Sequence, residues 1–112
     1  MNQLLDPVRI DTGFVPRFRA DVVTIDVGDE AVLYEETTGA LHQLDPIGAV
    51  VCAFFDGRTS IEDTVAELAA AYSADPAIIE ADVLELTRGL GRRGLLEGVQ
   101  GEAPPAEPDD GC

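Results

Sequence analysis

The pair Asp45–Pro46 restricts the fold more than any other feature, because the periodicity of the sequence changes there. Before it, from residue 21, three segments rich in β-branched and apolar residues alternate with short turns: DVVTIDV, AVLYEE and ALHQL. After it, apolar residues recur at helical spacing. Aspartate is a preferred N-cap, and proline fits the first helical position, where its missing N–H costs nothing. We therefore predict a three-stranded meander that ends at Asp45 and leads directly into a helix.

Three helices are predicted after this point, each from an apolar stripe that follows a capping residue. The first ends at Gly57, and the second begins at the capping box TSIE, with Thr59 as N-cap and Glu62 three residues on. The third repeats the first device, with Asp75 before Pro76. The stripes that we expect to face the core recur mostly every three or four residues. They comprise Ile47, Val50, Val51, Phe54 and Phe55 in the first helix, Ile61, Val65, Leu68 and Tyr72 in the second, and Ile79, Val83, Leu86 and Leu90 in the third.

The order of these elements indicates an α+β fold that is winged helix-turn-helix-like, with a three-stranded antiparallel β-meander followed by three α-helices. A chain of 112 residues has the length of one domain. We place that domain at residues 20–97, where Leu95 and Leu96 fold back onto the core. Residues 1–19 have no sustained period and are expected to form an irregular N-terminal arm. Residues 98–112 are rich in proline, glycine and acid, and we predict a disordered acidic C-terminal tail.

The charge of the chain limits its partners. Twenty-two aspartates and glutamates face seven arginines and no lysine, which gives a formal net charge of −15 at pH 7. Nucleic-acid binding depends on basic side chains that displace counterions, so this surface repels phosphate backbones. It also repels anionic lipids. We expect no nucleic-acid and no membrane partner; a basic or neutral polypeptide fits this charge, and a role in solubility alone explains it equally well.

The two cysteines, Cys52 and Cys112, form neither a disulfide framework nor a metal-binding pair at their spacing. Cys52 lies in an apolar run and is expected to be a small buried residue, whereas Cys112 is expected to be a free thiol on a flexible end. The chain has no apolar stretch long enough to span a bilayer, and its N-terminus lacks the pattern of a signal peptide. We therefore expect a soluble cytoplasmic protein.

No set of residues typical of a catalytic or metal site is found. His42 is the only histidine and has no second metal ligand beside it, so we expect a half-exposed strand residue. The neighbours Glu35 and Glu36 point to opposite faces of a strand and form no local carboxylate pair. The glycine-rich segment RGLGRRG, residues 88–94, lies at the C-terminal end of a helix, where phosphate is disfavoured, and it lacks the lysine of a P-loop. We predict that the protein is not an enzyme and needs no cofactor and no metal.

A resemblance to a known family extends over residues 20–97. It rests on the order of four motifs, which are TGALHQLD, GAVVCAFFDG, TSIEDTVAELAAAY and DVLELTRGLGRRGLL. Together they resemble the PqqD family, small proteins named for pyrroloquinoline quinone synthesis. Two positions depart from the family pattern, because Cys52 stands where an aromatic residue is frequent and Asp45 where asparagine is frequent. PqqD proteins are the type case of the RiPP recognition element, a domain that binds precursor peptides of ribosomally made natural products.

The resemblance implies a non-catalytic peptide chaperone. Such a protein captures the leader segment of a precursor peptide and presents it to a modifying enzyme, such as a radical S-adenosylmethionine (radical SAM) maturase. In this family the leader adds a strand to the edge of the third strand and places side chains in a groove beside the third helix. We expect a monomer, or a weak dimer through the open strand.

The peptide-binding residues that follow from this resemblance lie on the third strand and on one flank of the third helix. On the strand, Leu44 and either Leu41 or His42 are expected to point inward. The helical flank is chosen because it is less polar than an outer face needs to be. The full set is Leu41, His42, Gln43 and Leu44 on the strand, and Leu84, Thr87, Arg88 and Gly91 on the helix.

Two other functions fit the same elements. A structural or regulatory subunit of an enzyme complex would use the same apolar surfaces for a permanent interface, and an obligate copurifying partner would support it. A winged-helix DNA-binding protein would share the strands and helices. Its recognition helix should be basic, yet the second helix carries Glu62, Asp63 and Glu67 and no positive charge. Retention on a heparin or DNA column would support DNA binding.

Overall fold

The computed structural model describes residues 4–101 and contains a three-stranded sheet followed by three α-helices. The strands are β1 (Val22–Val27), β2 (Glu30–Glu35) and β3 (Leu41–Leu44), and they form an antiparallel meander in the order β1-β2-β3. Gly28 and Gly39 occupy the two turns with φ of 66° and 79°, a region that glycine adopts without steric penalty. The predicted meander is confirmed.

The helices are α1 (Pro46–Cys52), α2 (Ile61–Tyr72) and α3 (Pro76–Arg92), and a short 3-10 helix spans Pro7–Arg9. α2 and α3 pack against each other, and α1 packs against β2 and β3. The predicted α+β architecture of a β-meander followed by three helices is therefore confirmed. Within residues 4–101, no helix combines the length and the apolarity that crossing a bilayer requires.

Aspartate caps α1 and α3 as predicted, because the carboxylates of Asp45 and Asp75 accept hydrogen bonds from first-turn backbone N–H groups. The predicted N-cap of α2 is wrong by one residue. Ser60 is the cap, and its hydroxyl accepts a first-turn N–H at 3.1 Å. Thr59 instead donates its own N–H and hydroxyl to the carboxylate of Asp56. That local turn delays the start of the helix by one residue.

α1 is shorter than the sequence predicts. It ends at Cys52, and the N–H groups of Phe54 and Phe55 bond to carbonyls three residues earlier. This tighter turn still buries Phe55, whose ring centroid lies 5.5 Å from that of Phe18. Cys52 is buried as predicted, and burial raises the pKa of its thiol to about 12. The predicted free thiol at Cys112 lies outside the described residues.

The core lies between the inner face of the sheet and the helices. Most residues of the predicted stripes are buried there or pack against it. Two are not, because Ile47 is 63% exposed and Tyr72 is 55% exposed. Each lies in a terminal turn of its helix. The buried members of the stripes are Val51, Phe55, Ile61, Val65, Leu68, Val83 and Leu90, joined by Ala31, Leu33, Leu44, Leu95 and Leu96.

The packed unit extends beyond residues 20–97 at both ends. Ile10 of the N-terminal arm is fully buried, and Val99 is buried beside α3. Leu5 and Val99 form a parallel bridge, in which the N–H of Leu5 donates to the carbonyl of Gly98 and its carbonyl accepts from Gln100. The predicted disordered tail is therefore wrong at residues 98–101. Its remainder, residues 102–112, lies outside the described residues, as do residues 1–3 of the predicted arm.

Candidate functional site

β3 leaves one side of its backbone unpaired. The N–H of Glu35 donates to the carbonyl of Ala40 at 2.9 Å, which sets the hydrogen-bonding phase between β2 and β3. The N–H and C=O of a strand residue point to the same side, and that side alternates along the strand. The backbone of His42 therefore faces β2, whereas that of Leu41 and Gln43 faces away. No other segment of residues 4–101 pairs with this open edge of β3.

The side chains of β3 alternate between the two faces of the sheet. Leu44 is buried and His42 half-buried on the inner face, whereas Leu41, which is 66% exposed, and Gln43 lie on the outer face. The Nε2 atom of His42 lies 2.7 Å from a carboxylate oxygen of Glu35, and their side chains are only 18% and 13% exposed. Leu44 and His42 thus point inward, so of the two residues that the sequence left open, His42 is the inward one and Leu41 the outward one.

An apolar groove lies between α1 and α3, next to the residue that follows β3. α3 packs mainly on α2 and on the N-terminal 3-10 helix, so this flank of α3 is left uncovered. The groove has a pocket of about 210 Å³ and a shallower depression that shares part of its lining. The pocket is lined by Ile47, Val50, Val51, Leu68, Tyr72, Ile79, Asp82 and Val83, and the depression by Asp45, Ile47, Gly48, Val51, Asp82 and Leu86.

The groove carries negative charge and no positive charge in its lining. Asp82 projects from α3, and the carboxylate of Asp45 accepts the N–H of Gly48 at 2.7 Å as it caps α1. Every other lining residue except Tyr72 is apolar or glycine. Such a groove takes apolar side chains by burial and disfavours acidic ones by charge repulsion. The depression and the open edge of β3 adjoin at Asp45, so both are within reach of one extended segment.

The structure does not place the predicted residues of α3 in this groove. Thr87 is fully buried, and its hydroxyl donates to the carbonyl of Val83 at 2.7 Å. Gly91 is buried against the terminal segments, and a β-carbon there would lie 2.8 Å from Val99. Thr87 and Gly91 are therefore not available to a peptide. The low polarity of this flank is explained by its packing against the chain's own terminal segments.

Arg88 and Leu84 lie on that same side of α3. The guanidinium of Arg88 donates two hydrogen bonds to the carbonyl of Ile10, at 2.7 and 3.1 Å, and so ties the N-terminal arm to the helix. Leu84 is half-buried and lines a shallow surface depression together with Arg88. Neither residue lines the groove beside β3.

The groove residues that the sequence analysis missed are Ile79, Asp82 and Leu86 on α3 and Ile47 on α1. Ile79 and Leu86 were assigned to the core stripe, yet both are only partly buried at its edge. Their spacing of three and four residues around Asp82 puts the three on one flank. Asp82, an acid within an otherwise apolar flank, was the one sequence feature that could have indicated the groove. Nothing in the sequence indicated the groove at Ile47, because its position fits a core stripe equally well.

Comparison with known proteins identifies the family. Residues 30–96 match the family described as coenzyme PQQ synthesis protein D, PqqD. The chain belongs to the PqqD family. The resemblance found in the sequence is thereby confirmed.

Among curated relatives, a PqqA binding protein of Xanthomonas oryzae pv. oryzae is 48% identical over 54 residues, which are 48% of this chain and 59% of the relative. The bifunctional coenzyme PQQ synthesis protein C/D of Methylorubrum extorquens is 41% identical over 54 residues, or 14% of its length. The match to this PqqD-family chain thus spans 59% of the PqqA binding protein and a small part of the bifunctional one.

Solved structures share the fold over most of the chain. The solution structure of the PqqD truncation of Methylobacterium extorquens PqqCD, described as a functional and stand-alone RiPP recognition element, has a TM-score of 0.71 and 31% identity, and the match covers 81% of this chain and 97% of that one. TbiB1 in complex with the TbiA(beta) leader peptide has a TM-score of 0.67 and 30% identity, covering 73% and 95%. These matches confirm the fold of this PqqD-family protein.

Proposed function

We propose that this protein is a non-catalytic peptide chaperone that captures the leader segment of a ribosomally made precursor peptide and presents it to a modifying enzyme. One observation carries the proposal: the backbone groups of Leu41 and Gln43 form an open strand edge beside an apolar groove. A peptide that pairs with this edge would gain main-chain hydrogen bonds there and bury alternate side chains in the groove.

Two kinds of support bear on this function. The similarity to a PqqA binding protein and to a domain solved with a leader peptide favours peptide capture. The open edge supplies affinity with little demand on sequence, and the groove supplies the selectivity. We also propose that the protein itself has no catalytic activity. Its partner would be a modifying enzyme such as a radical SAM maturase.

The site that we propose differs from the one inferred from the sequence on its helical side. Leu41 and Gln43 offer hydrogen bonds, while His42 and Leu44 hold β3 against the body of the protein. The wall of the groove is Ile47 with the α3 flank of Asp82 and Leu86. An added strand beside β3 would direct every second side chain toward this wall.

A titration with the leader peptide of a precursor encoded beside the gene tests the proposal. Gln43→Pro removes the outward N–H at residue 43 without breaking the ladder to β2, since edge strands tolerate proline on the solvent side. The peptide carbonyl that it leaves unpaired costs about 1–3 kcal/mol, so affinity should fall by roughly fivefold to 150-fold.

The matched control is Thr24→Pro. The same alternation directs the backbone of Thr24 to the open edge of β1, the other edge of the sheet. We expect Thr24→Pro to bind the leader as the wild type does. Equal binding by the wild type and Gln43→Pro, or a loss confined to Thr24→Pro, would show that the leader does not add to β3.

A further inference from the structure

The outer face of the sheet is uncovered and largely apolar, apart from Glu30 and Gln43, whose side chains hydrogen-bond to each other at 3.1 Å. Strand register aligns Val23 with Tyr34 and Leu41 in one row, and Ile25 with Val32 in the next, so these side chains share one face. Val27 extends the face at the end of β1. Val23, Ile25, Val27 and Leu41 are 38%, 45%, 58% and 66% exposed, and Val32 and Tyr34 are half-buried. We refer to these six residues as the outer sheet face.

Nothing in residues 4–101 covers this face. α1 packs on β2 and β3 from the inner side, where Leu33 and Leu44 are buried, and β2 is the one element that packs extensively against β1. Monomeric proteins rarely expose a contiguous apolar patch of this kind without an interaction role. The patch is therefore expected to contact another molecule.

The charge around the face selects its occupant. Residues 20–57, which hold the whole sheet, contain no lysine and no arginine. Asp29, Glu30 and Glu36 lie at the ends of the strands that carry the face. A partner that is apolar at its centre and carries arginine or lysine at its rim is complementary to this surface.

A second copy of this chain fits poorly, because two copies would bring equally acidic rims together and each chain carries a net charge of −15. An anionic lipid surface is repelled for the same reason. These charges favour a different protein with a basic rim as the occupant.

The face is also continuous with the proposed peptide edge, because Leu41 belongs to both. A peptide added to β3 would extend the sheet by one strand, and alternate side chains of that strand would join the outer sheet face. A protein on this face would thus contact the half of the peptide that does not enter the groove.

We propose that the outer sheet face is the docking surface for the modifying enzyme, which we expect to present an apolar patch with a basic rim. This rests on the proposed function, and it assigns the two faces of the extended sheet different tasks. The groove side holds the leader, and the outer side offers both protein and peptide to the enzyme.

The test uses the purified modifying enzyme encoded beside the gene, the full-length protein and three variants. Ile25→Glu places a charge in the middle of the face, and Ile25→Ser removes apolar surface without adding charge. Thr24→Glu is the matched control, because Thr24 is exposed on the opposite face of the same strand. Circular dichroism spectra establish that the variants are folded.

We expect both Ile25 variants to bind the enzyme at least about tenfold more weakly, and Thr24→Glu to stay within roughly twofold of the wild type. Binding by the wild type should weaken as salt rises from about 0.05 to about 0.3 M, because the rim contacts are screened. Affinity of the Ile25 variants for the leader peptide should not change.

Enzyme binding that Ile25→Glu and Ile25→Ser leave intact, or no enzyme binding by the wild type, overturns the docking surface while leaving leader capture standing. Sedimentation of the wild type as a dimer that Ile25→Glu converts to a monomer also overturns it, because the occupant would then be a second copy. Failure of the wild type to bind the leader refutes the proposed function instead, so the two failures are distinguishable.

Discussion

Alanine at Gly89 should stabilise the protein, whereas alanine at Gly91 should leave its stability unchanged or lower it. Both glycines lie in α3, where replacing glycine by alanine gains about 1 kcal/mol of helix stability. A β-carbon at Gly89 meets nothing within 4 Å, so Gly89→Ala should keep the whole gain. At Gly91 the β-carbon would lie 2.8 Å from Val99, 3.4 Å from Ile10 and 3.6 Å from Pro7.

Overpacking of this kind costs about 1–3 kcal/mol. Subtracting the helix gain leaves Gly91→Ala destabilised by about 0–2 kcal/mol, so the two variants should differ by about 1–3 kcal/mol. Urea unfolding followed by far-UV circular dichroism measures this difference directly. The melting temperatures of the two should differ by at least about 4 °C.

The refuting result is equal stability of the two variants, which would mean that the terminal segments do not pack on α3 as described. The pair also tests the site inferred from the sequence, in which Gly91 contacts the peptide. If Gly91→Ala were as stable as Gly89→Ala but bound the leader more weakly, Gly91 would return to the peptide site.

Three further outcomes follow from the geometry. Leu86→Glu should weaken leader binding at least roughly tenfold in a fluorescence-polarisation titration, because it places a charge in the groove. Leu84→Glu, on the flank beside the N-terminal arm, should not weaken it. If Leu84→Glu weakened binding and Leu86→Glu did not, the peptide would contact the flank inferred from the sequence. Ser60→Ala should lower the free energy of unfolding by about 1 kcal/mol and Thr59→Ala by less, as urea titrations would measure, because Ser60 caps α2. In a Cys112→Ser background, the thiol of Cys52 should resist alkylation up to pH 9 in the folded protein and react once urea unfolds it, since its pKa is raised to about 12; rapid reaction without urea would contradict its burial.

The strands and the starts of two helices were predictable because their signals are local. Asp45 and Asp75 each precede a proline. An aspartate at the N-cap followed by a proline at the first helical position largely determines where a helix begins. At α2, Thr59 and Ser60 are both good caps, and local patterns did not decide between them. Ser60 becomes the N-cap because the carboxylate of Asp56 binds Thr59. This contact depends on the turn after α1.

On the strand side of the proposed site, the sequence identified residues 41–44 but left open whether Leu41 or His42 points inward, and on the helix side it selected a different flank of α3. The alternation along β3 follows from strand geometry once its pairing with β2 is recognised. The flank of α3 with Thr87 and Gly91 carries small or apolar residues because it packs on the N-terminal arm and on Val99. These contacts join distant parts of the chain, so no sequence period marks them, and an occupied flank looked like an open one.

The docking of the arm on α3 has a consequence for the order in which the protein folds. The hydrogen bonds from Arg88 to the carbonyl of Ile10 span 78 residues, whereas the sheet is built from neighbouring strands. Contacts this distant carry a larger entropy cost of loop closure and form after local ones. On the ribosome, the sheet and α1 can assemble early, but Ile10 finds its place only after α3 has emerged. Ile10 and the arm around it are therefore expected to become ordered after the sheet, although they precede it in the chain.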